Sequence, residues 1–223
     1  MNEALAIVGD VHGDVLRLKA ALLSLATLDR RIVLVGDYVD RGPDSRGVLE
    51  ALVRARITLG SKLILLAGNH EGALVDYLDT GDLPRFAVVG GMATIRSYVG
   101  TAAPDVHAQF VAAVPDEHQR LLRDELMPFY ETETVLVSHT GFDPADPMDR
   151  RSSALVDAGH ADLFRWVEDG GHLPRPMVVC GHYVQRTKHP YESGGLVCLD
   201  TGCGTIGGPL TALLFPEQQF MSW

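Results

Sequence analysis

Five short apolar runs in this chain end at a Gly or Ser that is followed at once by a side chain able to bind a metal ion. Residues 6–8 run into Gly9-Asp10, residues 32–35 into Gly36-Asp37, and residues 63–67 into Gly68-Asn69. Later, residues 135–137 meet Ser138-His139 and residues 177–180 meet Gly181-His182. In Gly9-Asp10-Val11-His12-Gly13 a carboxylate and an imidazole two positions apart can face one cation, and the glycines let the backbone fold closely around it. Asp37 is placed like Asp10, so it can share that ion or bridge two. Asp40 and Arg41 add an orienting carboxylate and a planar, permanently charged guanidinium suited to phosphate, although taken alone the pair reads as a turn salt bridge. Asn69 offers a neutral carbonyl ligand. His70 beside it suits proton transfer, because an unperturbed imidazole titrates near pH ~6.5. With His139 and His182 the candidate ligands are two Asp, one Asn and three His, and His70 stands apart from them. Two adjacent first-row divalent ions, roughly 3.5–4 Å apart and bridged by Asp37, account for this mixture.

Elements must bring these residues together. Continuous apolar runs this short suit strands buried on both faces. Between them, Val15, Leu18, Leu22 and Leu25 recur at helical spacing behind a capping Asp14, which predicts a helix over 14–26, and a second helix is expected over 45–56. Further helices are expected near 105–113 and 116–126, and strands over 195–199 and 210–215 around a Gly-rich turn at 202–208. Helices alternating with strands indicate an α/β fold.

The totals narrow the function. A chain of 223 residues, 46% hydrophobic and without a linker-like tract, is expected to form a single domain over residues 1–223. No apolar run approaches a membrane span, and the start lacks the basic region of a signal peptide, so no membrane association and a cytoplasmic location are expected. Cys180, Cys198 and Cys203 are an odd number without a Cys-x-x-Cys pair, which suggests neither a disulfide framework nor a thiolate zinc site. A net charge of −10 argues against general binding of nucleic-acid polymers.

Gly-Asp-x-His-Gly, Gly-Asp-x-x-Asp-Arg-Gly and Gly-Asn-His-Glu, in that order and followed by an isolated His and a Gly-His, resemble the phosphoprotein phosphatase family of calcineurin-like metallophosphoesterases. The likeness is closer to the small bacterial and phage serine/threonine phosphatases. It extends to Gly90-Gly91-Met92-Ala93-Thr94-Ile95-Arg96-Ser97-Tyr98 and Asp200-Thr201-Gly202-Cys203-Gly204, and it covers about residues 4–215. The resemblance implies an α/β sandwich of two mixed β-sheets flanked by helices. It implies that Asp10 and His12 bind a first metal, that Asp37 bridges, and that Asn69, His139 and His182 complete a second. It also implies that His70 is the general acid, with its ring held by Asp40, that Arg41 grips phosphate, and that a hydroxide between the metals is the nucleophile. Manganese is the ion preferred by resemblance, with iron or zinc admissible.

The chain also departs from that pattern. Ala67 stands where an Arg is common before Gly-Asn-His-Glu, and Glu168 stands where a Trp-x-Arg segment carries a second phosphate clamp. Arg165 or another basic residue is then the expected replacement, and Tyr183 either lines the substrate pocket or packs. His107, His118, His160, His172 and His189 are expected on the surface or packed, and Glu71 as a helix-start residue or a salt-bridge partner. The expected activity is phosphomonoester hydrolysis, first of all that of a protein serine/threonine phosphatase, with a phosphoprotein or small phosphate ester as substrate. A dinucleoside-polyphosphate hydrolase resembling diadenosine tetraphosphatases is the alternative, and a non-catalytic metal-binding scaffold comes third.

Overall fold

Leu5 and Ile7 point to one side of the first strand, Ala6 and Val8 to the other, and all four are buried. That alternation repeats across the molecule and sets its layers. The computed structural model describes residues 3–100, 105–157 and 159–223. Within them, one sheet has the order β10-β9-β1-β2-β3, formed by Gln219–Ser222, Thr211–Phe215, Leu5–Val8, Arg31–Leu34 and Leu63–Leu65. The second has the order β4-β5-β6-β8-β7, formed by Phe129–Glu131, Val135–Ser138, Met177–Cys180, Leu196–Cys198 and Tyr191–Ser193.

Leu5, Ile7, Val33 and Val35 of the first sheet pack with Val135, Val137, Val179 and Val197 of the second in the core between them. Ala6, Val8, Ile32 and Leu34 face a helical layer through Leu18, Leu25, Val48, Leu49 and Leu52. On the far side, Leu136, Val178 and Leu196 pack against Phe142, Leu155, Leu163 and Val167. The result is a pair of mixed sheets with helices on both outer faces. Strands buried on both faces are what the continuous apolar runs required.

The helices are α1 (Val15–Leu25), α2 (Ser45–Leu59), α3 (Asn69–Thr80), α4 (Leu83–Val88), α5 (Met92–Val99), α6 (Val106–Ala113), α7 (Asp116–Arg120) and α8 (Leu163–Glu168). Asp14 caps α1 by accepting from the Arg17 amide at 3.1 Å, and Asp44 caps α2 by accepting from Gly47 N at 2.8 Å. Helix α2 outlasts the expected stop near Arg56 and ends at Gly60, whose φ of 54° a β-carbon disfavours. The helix expected over 116–126 is divided: α7 closes at Arg120 and a π-helical turn, Leu121–Glu125, follows. Among the described residues no helix is long and apolar enough to cross a membrane.

Strands β1, β2 and β3 run parallel, as do β5, β6 and β8. Their C-terminal ends therefore lie along one rim. Every loop carrying a candidate ligand leaves from that rim, the usual place for a site in sheets with parallel strands.

Candidate functional site

At the rim the chain repeatedly adopts left-handed backbone. His12, Asp37, Asp40, Arg41 and His182 have φ of 44°, 53°, 68°, 63° and 65°. Side chains with a β-carbon rarely occupy this region, and a concentration of such residues at one place marks a functional constraint. Two glycines show why no other residue fits. A β-carbon on Gly68 would collide with the backbone and carboxylate of Asp37, and one on Gly181 would strike the Asp10 carboxylate.

Ligand atoms of Asp37, His139 and His182 lie within 4.8 Å of one another, and so do those of His12, Asp37 and His70. Asn69 Oδ1 is 3.0 Å from both His139 Nε2 and His182 Nδ1, and those two ring nitrogens are 3.2 Å apart. On the other side of Asp37, its Oδ2 is 3.6 Å from His12 Nε2. Asp10 is buried and accepts from the His182 amide, 3.0 Å from Oδ2, which places it beside the group formed by Asp37, His139 and His182.

Outer partners fix the rings. His12 Nδ1 lies 3.0 Å from Val39 O, and His139 Nδ1 lies 3.2 Å from Val35 O. A carbonyl can only accept, so both Nδ1 atoms carry a proton, and both Nε2 atoms turn toward Asp37. Arg41 Nη1, a donor only, lies 3.2 Å from His12 Nε2, which agrees with that tautomer. Burial lowers the His12 pKa to about 3, so the ring is neutral, as a ligand must be. Burial, then His139, lowers His182 to about 4.

These residues fit a pair of divalent ions. Two imidazole nitrogens and an amide oxygen that converge to within 3.2 Å of one another form a donor set that a divalent cation would fit. Asp200 adds to this: its buried Oδ2 has no hydrogen-bond partner among the described residues, and its charge helps raise the Asp10 pKa after burial. Only the Asp200 segment was visible beforehand, as part of a stretch resembling the family.

His70 is held differently. Its Nδ1 meets Asp40 Oδ2 at 2.8 Å, while Nε2 faces the cluster 3.7 Å from Asp37 Oδ2. Burial lowers the His70 pKa, but the hydrogen bond with Asp40 and the charges of Asp37 and Asp40 outweigh it, and the net shift is upward. Asp40 is itself anchored. Thr94 Oγ1 donates to Asp40 Oδ1 at 2.6 Å and accepts from Asp40 N at 2.9 Å, and Ser45 Oγ lies 2.8 Å from Thr94 Oγ1. Thr94 spends its one proton on Asp40, so Ser45 donates to Thr94. Thr94→Val should lower kcat by about 10- to 100-fold, the usual cost of an orienting partner, and Thr94→Ser should recover most of it, as measured by steady-state kinetics.

Glu71 stands in the first turn of α3, as a helix-start residue, and among the described residues it forms no salt bridge. Its Oε2 accepts from the amides of Asp37 and Gly68, both at 2.9 Å, and its Oε1 from that of Tyr38 at 2.8 Å. One buried carboxylate thus pins the second and third ligand loops together. Glu71→Gln turns an NH₂ group toward amide donors and should cost about 1–3 kcal/mol, read as a lowered denaturant midpoint with unchanged m-value.

Other expected residues lie elsewhere. Arg165 is not brought to the cluster: on α8 its side chain is 82% exposed and faces Asp169 at 3.7 Å. Glu168 accepts from the Tyr191 hydroxyl at 3.0 Å and leaves no second clamp in that segment. The Tyr183 hydroxyl donates to Thr140 O at 2.9 Å and accepts from His160 N at 2.8 Å, so this ring packs edge-on to His182 and spends its polar atom on the protein. His107 and His160 donate to the carbonyls of Leu78 and Ala154, and all three cysteines are free and buried.

A family model for calcineurin-like phosphoesterases matches residues 4–191. A bis(5'-nucleosyl)-tetraphosphatase (asymmetrical) of Oceanobacillus iheyensis is 25% identical over 242 residues, covering 97% of this chain and 90% of that protein. The crystal structure of a candidate diadenosine tetraphosphatase superposes with a TM-score of 0.62 at 22% identity, covering 100% of this chain and 94% of the other. A metallophosphoesterase from Sphaerobacter thermophilus gives 0.59 at 16% identity, covering 100% and 87%. At these identities the two structures show the shared fold. With the family model spanning most of its length and its strand ends carrying the donor clusters, the chain belongs to the calcineurin-like phosphoesterase family and is a metallophosphoesterase hydrolase.

Proposed function

We propose that this protein hydrolyses a phosphoanhydride bond of dinucleoside polyphosphates, asymmetrically, at a two-metal centre. The observation that carries the reading is the 25% identity, along 97% of the chain, to a protein named as an asymmetrical bis(5'-nucleosyl)-tetraphosphatase. It favours the alternative drawn from the sequence over the first expectation of a protein serine/threonine phosphatase. Two features of the chain support it. Arg41 is the one guanidinium among the described residues that contacts the ligand cluster, which suits a substrate whose several phosphates can share the bound cations. A groove of about 440 Å³, whose lining includes Ala67, Gly68, Glu71, Asp76, Arg123 and Asp157, opens beside the third motif, and in this reading it takes the second half of such a substrate.

In this reading Asp10 and His12 would hold one ion and Asn69, His139 and His182 the other, with the Asp37 carboxylate available to both. Two bound divalent ions would lower the pKa of a shared water toward ~7 and neutralise phosphoryl charge. Arg41 grips phosphoryl oxygens and aligns the phosphorus. As the bond from phosphorus to the leaving oxygen breaks, His70 Nε2 gives that oxygen its proton, and Asp40 keeps the ring aimed.

Turnover of diadenosine tetraphosphate beside a phosphoserine and phosphothreonine peptide panel tests the substrate. ATP and AMP as products, with kcat/KM at least about tenfold above that for any peptide, is the expected result, a preference of ~1.4 kcal/mol or more. Peptide turnover with no nucleotide cleavage would overturn it.

A further inference from the structure

We infer that Glu50, Glu117 and His118 form a second, separate metal site, which takes one zinc-class divalent cation between α2 and α7. Ligand atoms of the three residues lie within 4.8 Å of one another. None of them takes part in the phosphoesterase centre. The two acidic residues alone would mean little, since surface carboxylates often gather without an ion.

The imidazole is the telling member. His118 is fully buried, and its Nε2 has no hydrogen-bond partner. That atom points at Glu50 Oε2, 3.7 Å away and beyond hydrogen-bond reach. The other ring nitrogen is held by the Tyr98 hydroxyl of α5 at 2.7 Å. If Tyr98 donates there, Nε2 bears a buried N–H whose facing acceptor, Glu50 Oε2, stands 3.7 Å away. If Nδ1–H donates to Tyr98, Nε2 presents a bare lone pair. Both leave a buried polar atom unsatisfied in the metal-free protein, a cost few native groups bear. A cation on Nε2 resolves it, and Nδ1–H donating to Tyr98 is the outer-shell arrangement that fixes a ligating histidine.

The carboxylates fit the same role. Glu50 Oε1 is taken by Arg54, whose Nε donates to it at 2.9 Å, so Oε2 is the oxygen left facing His118. Glu117 is exposed and has no other partner among the described residues, and bonds of about 2.0–2.2 Å would draw its flexible arm inward. Glu117 and the share of the Glu50 charge that Arg54 leaves would offset part of a dication's charge, and burial lowers the His118 pKa, which favours the neutral ring a ligand needs. Mixed imidazole and carboxylate donors suit zinc among the common ions. The site would tie α2 to α7. Helix α2 begins at Ser45, whose hydroxyl supports Asp40, so the ion would stiffen the frame behind His70.

Zinc bound per chain, counted by atomic emission after equilibrium dialysis of the full chain, decides the matter. Wild type should bind one zinc more than Glu117→Gln, a change on an exposed side chain that leaves the core intact, and Glu50→Gln should repeat the loss. In manganese-loaded protein, zinc at about a hundredfold its Kd for this site should raise Tm by ~5 °C more in wild type than in Glu117→Gln, since any exchange at the phosphoesterase centre is common to both. Equal zinc counts in wild type and both variants would overturn the proposal, and because both variants keep the phosphoesterase residues, that outcome would leave the proposed reaction standing.

Discussion

Replacing His70 with Asn is expected to lower kcat by about 10²–10⁴-fold on phosphate esters with poor leaving groups, while metal content stays unchanged. The geometry supports the proposed role: Nδ1 is engaged by Asp40 at 2.8 Å and Nε2 faces the cluster of candidate ligands. Asn keeps a polar group of similar bulk but has no proton to give at working pH. The loss should shrink on p-nitrophenyl phosphate, whose leaving oxygen needs little help. His70 must be protonated to act, so the limb it contributes to the kcat profile is alkaline, with activity falling as pH rises through its pKa. That limb should vanish in the variant. An unchanged rate on an alkyl phosphate would remove His70 as the acid.

Asp37→Asn is expected to act at an earlier stage, by dismantling the centre. Asp37 belongs to both donor groups, and its carboxylate is the anion around which His12, His70 and His139 are arranged at 3.6, 3.7 and 3.3 Å. Burial works to raise its pKa, but His139 and the other rings outweigh burial and hold it well below the usual carboxylate range. An amide of the same shape removes the bridging charge. Bound metal should fall below two ions per chain, the metal-dependent rise in Tm should be lost, and kcat should drop by about 10³-fold or more, which is ~4 kcal/mol of transition-state stabilisation. Retention of both ions with normal turnover would place the bridge elsewhere.

The candidate ligands were legible because each is announced locally, by an apolar run, a glycine and a donor, and because parallel strands deliver their ends to one rim. The supports were not. Thr94 lies 54 positions from Asp40, and Glu71 lies 34 from Asp37, so nothing in their neighbourhoods marks what they bind. Thr94 stood inside a segment that resembled the family, yet its hydroxyl had no visible partner until α5 was seen to pack beside α2. The start of helix α3 was legible only through Glu71, because Asn69 and His70 serve at once as candidate donors and as its first turn. The strands β4, β7 and β10 have three or four residues and half-exposed edges, too short for alternation to register. Arg165 carried the right charge at a plausible spacing, but α8 turns it to solvent, where Asp169 one helical turn on is its partner. Spacing identified the residue type there and could not identify the face.

Anomalous diffraction at the manganese edge, from crystals grown with the metal, tests the central claim most directly. Two peaks roughly 3.5–4 Å apart should flank the Asp37 carboxylate, one beside Asp10 and His12, the other beside Asn69, His139 and His182. A single peak, or none within bonding distance of Asp37, would contradict the two-metal centre.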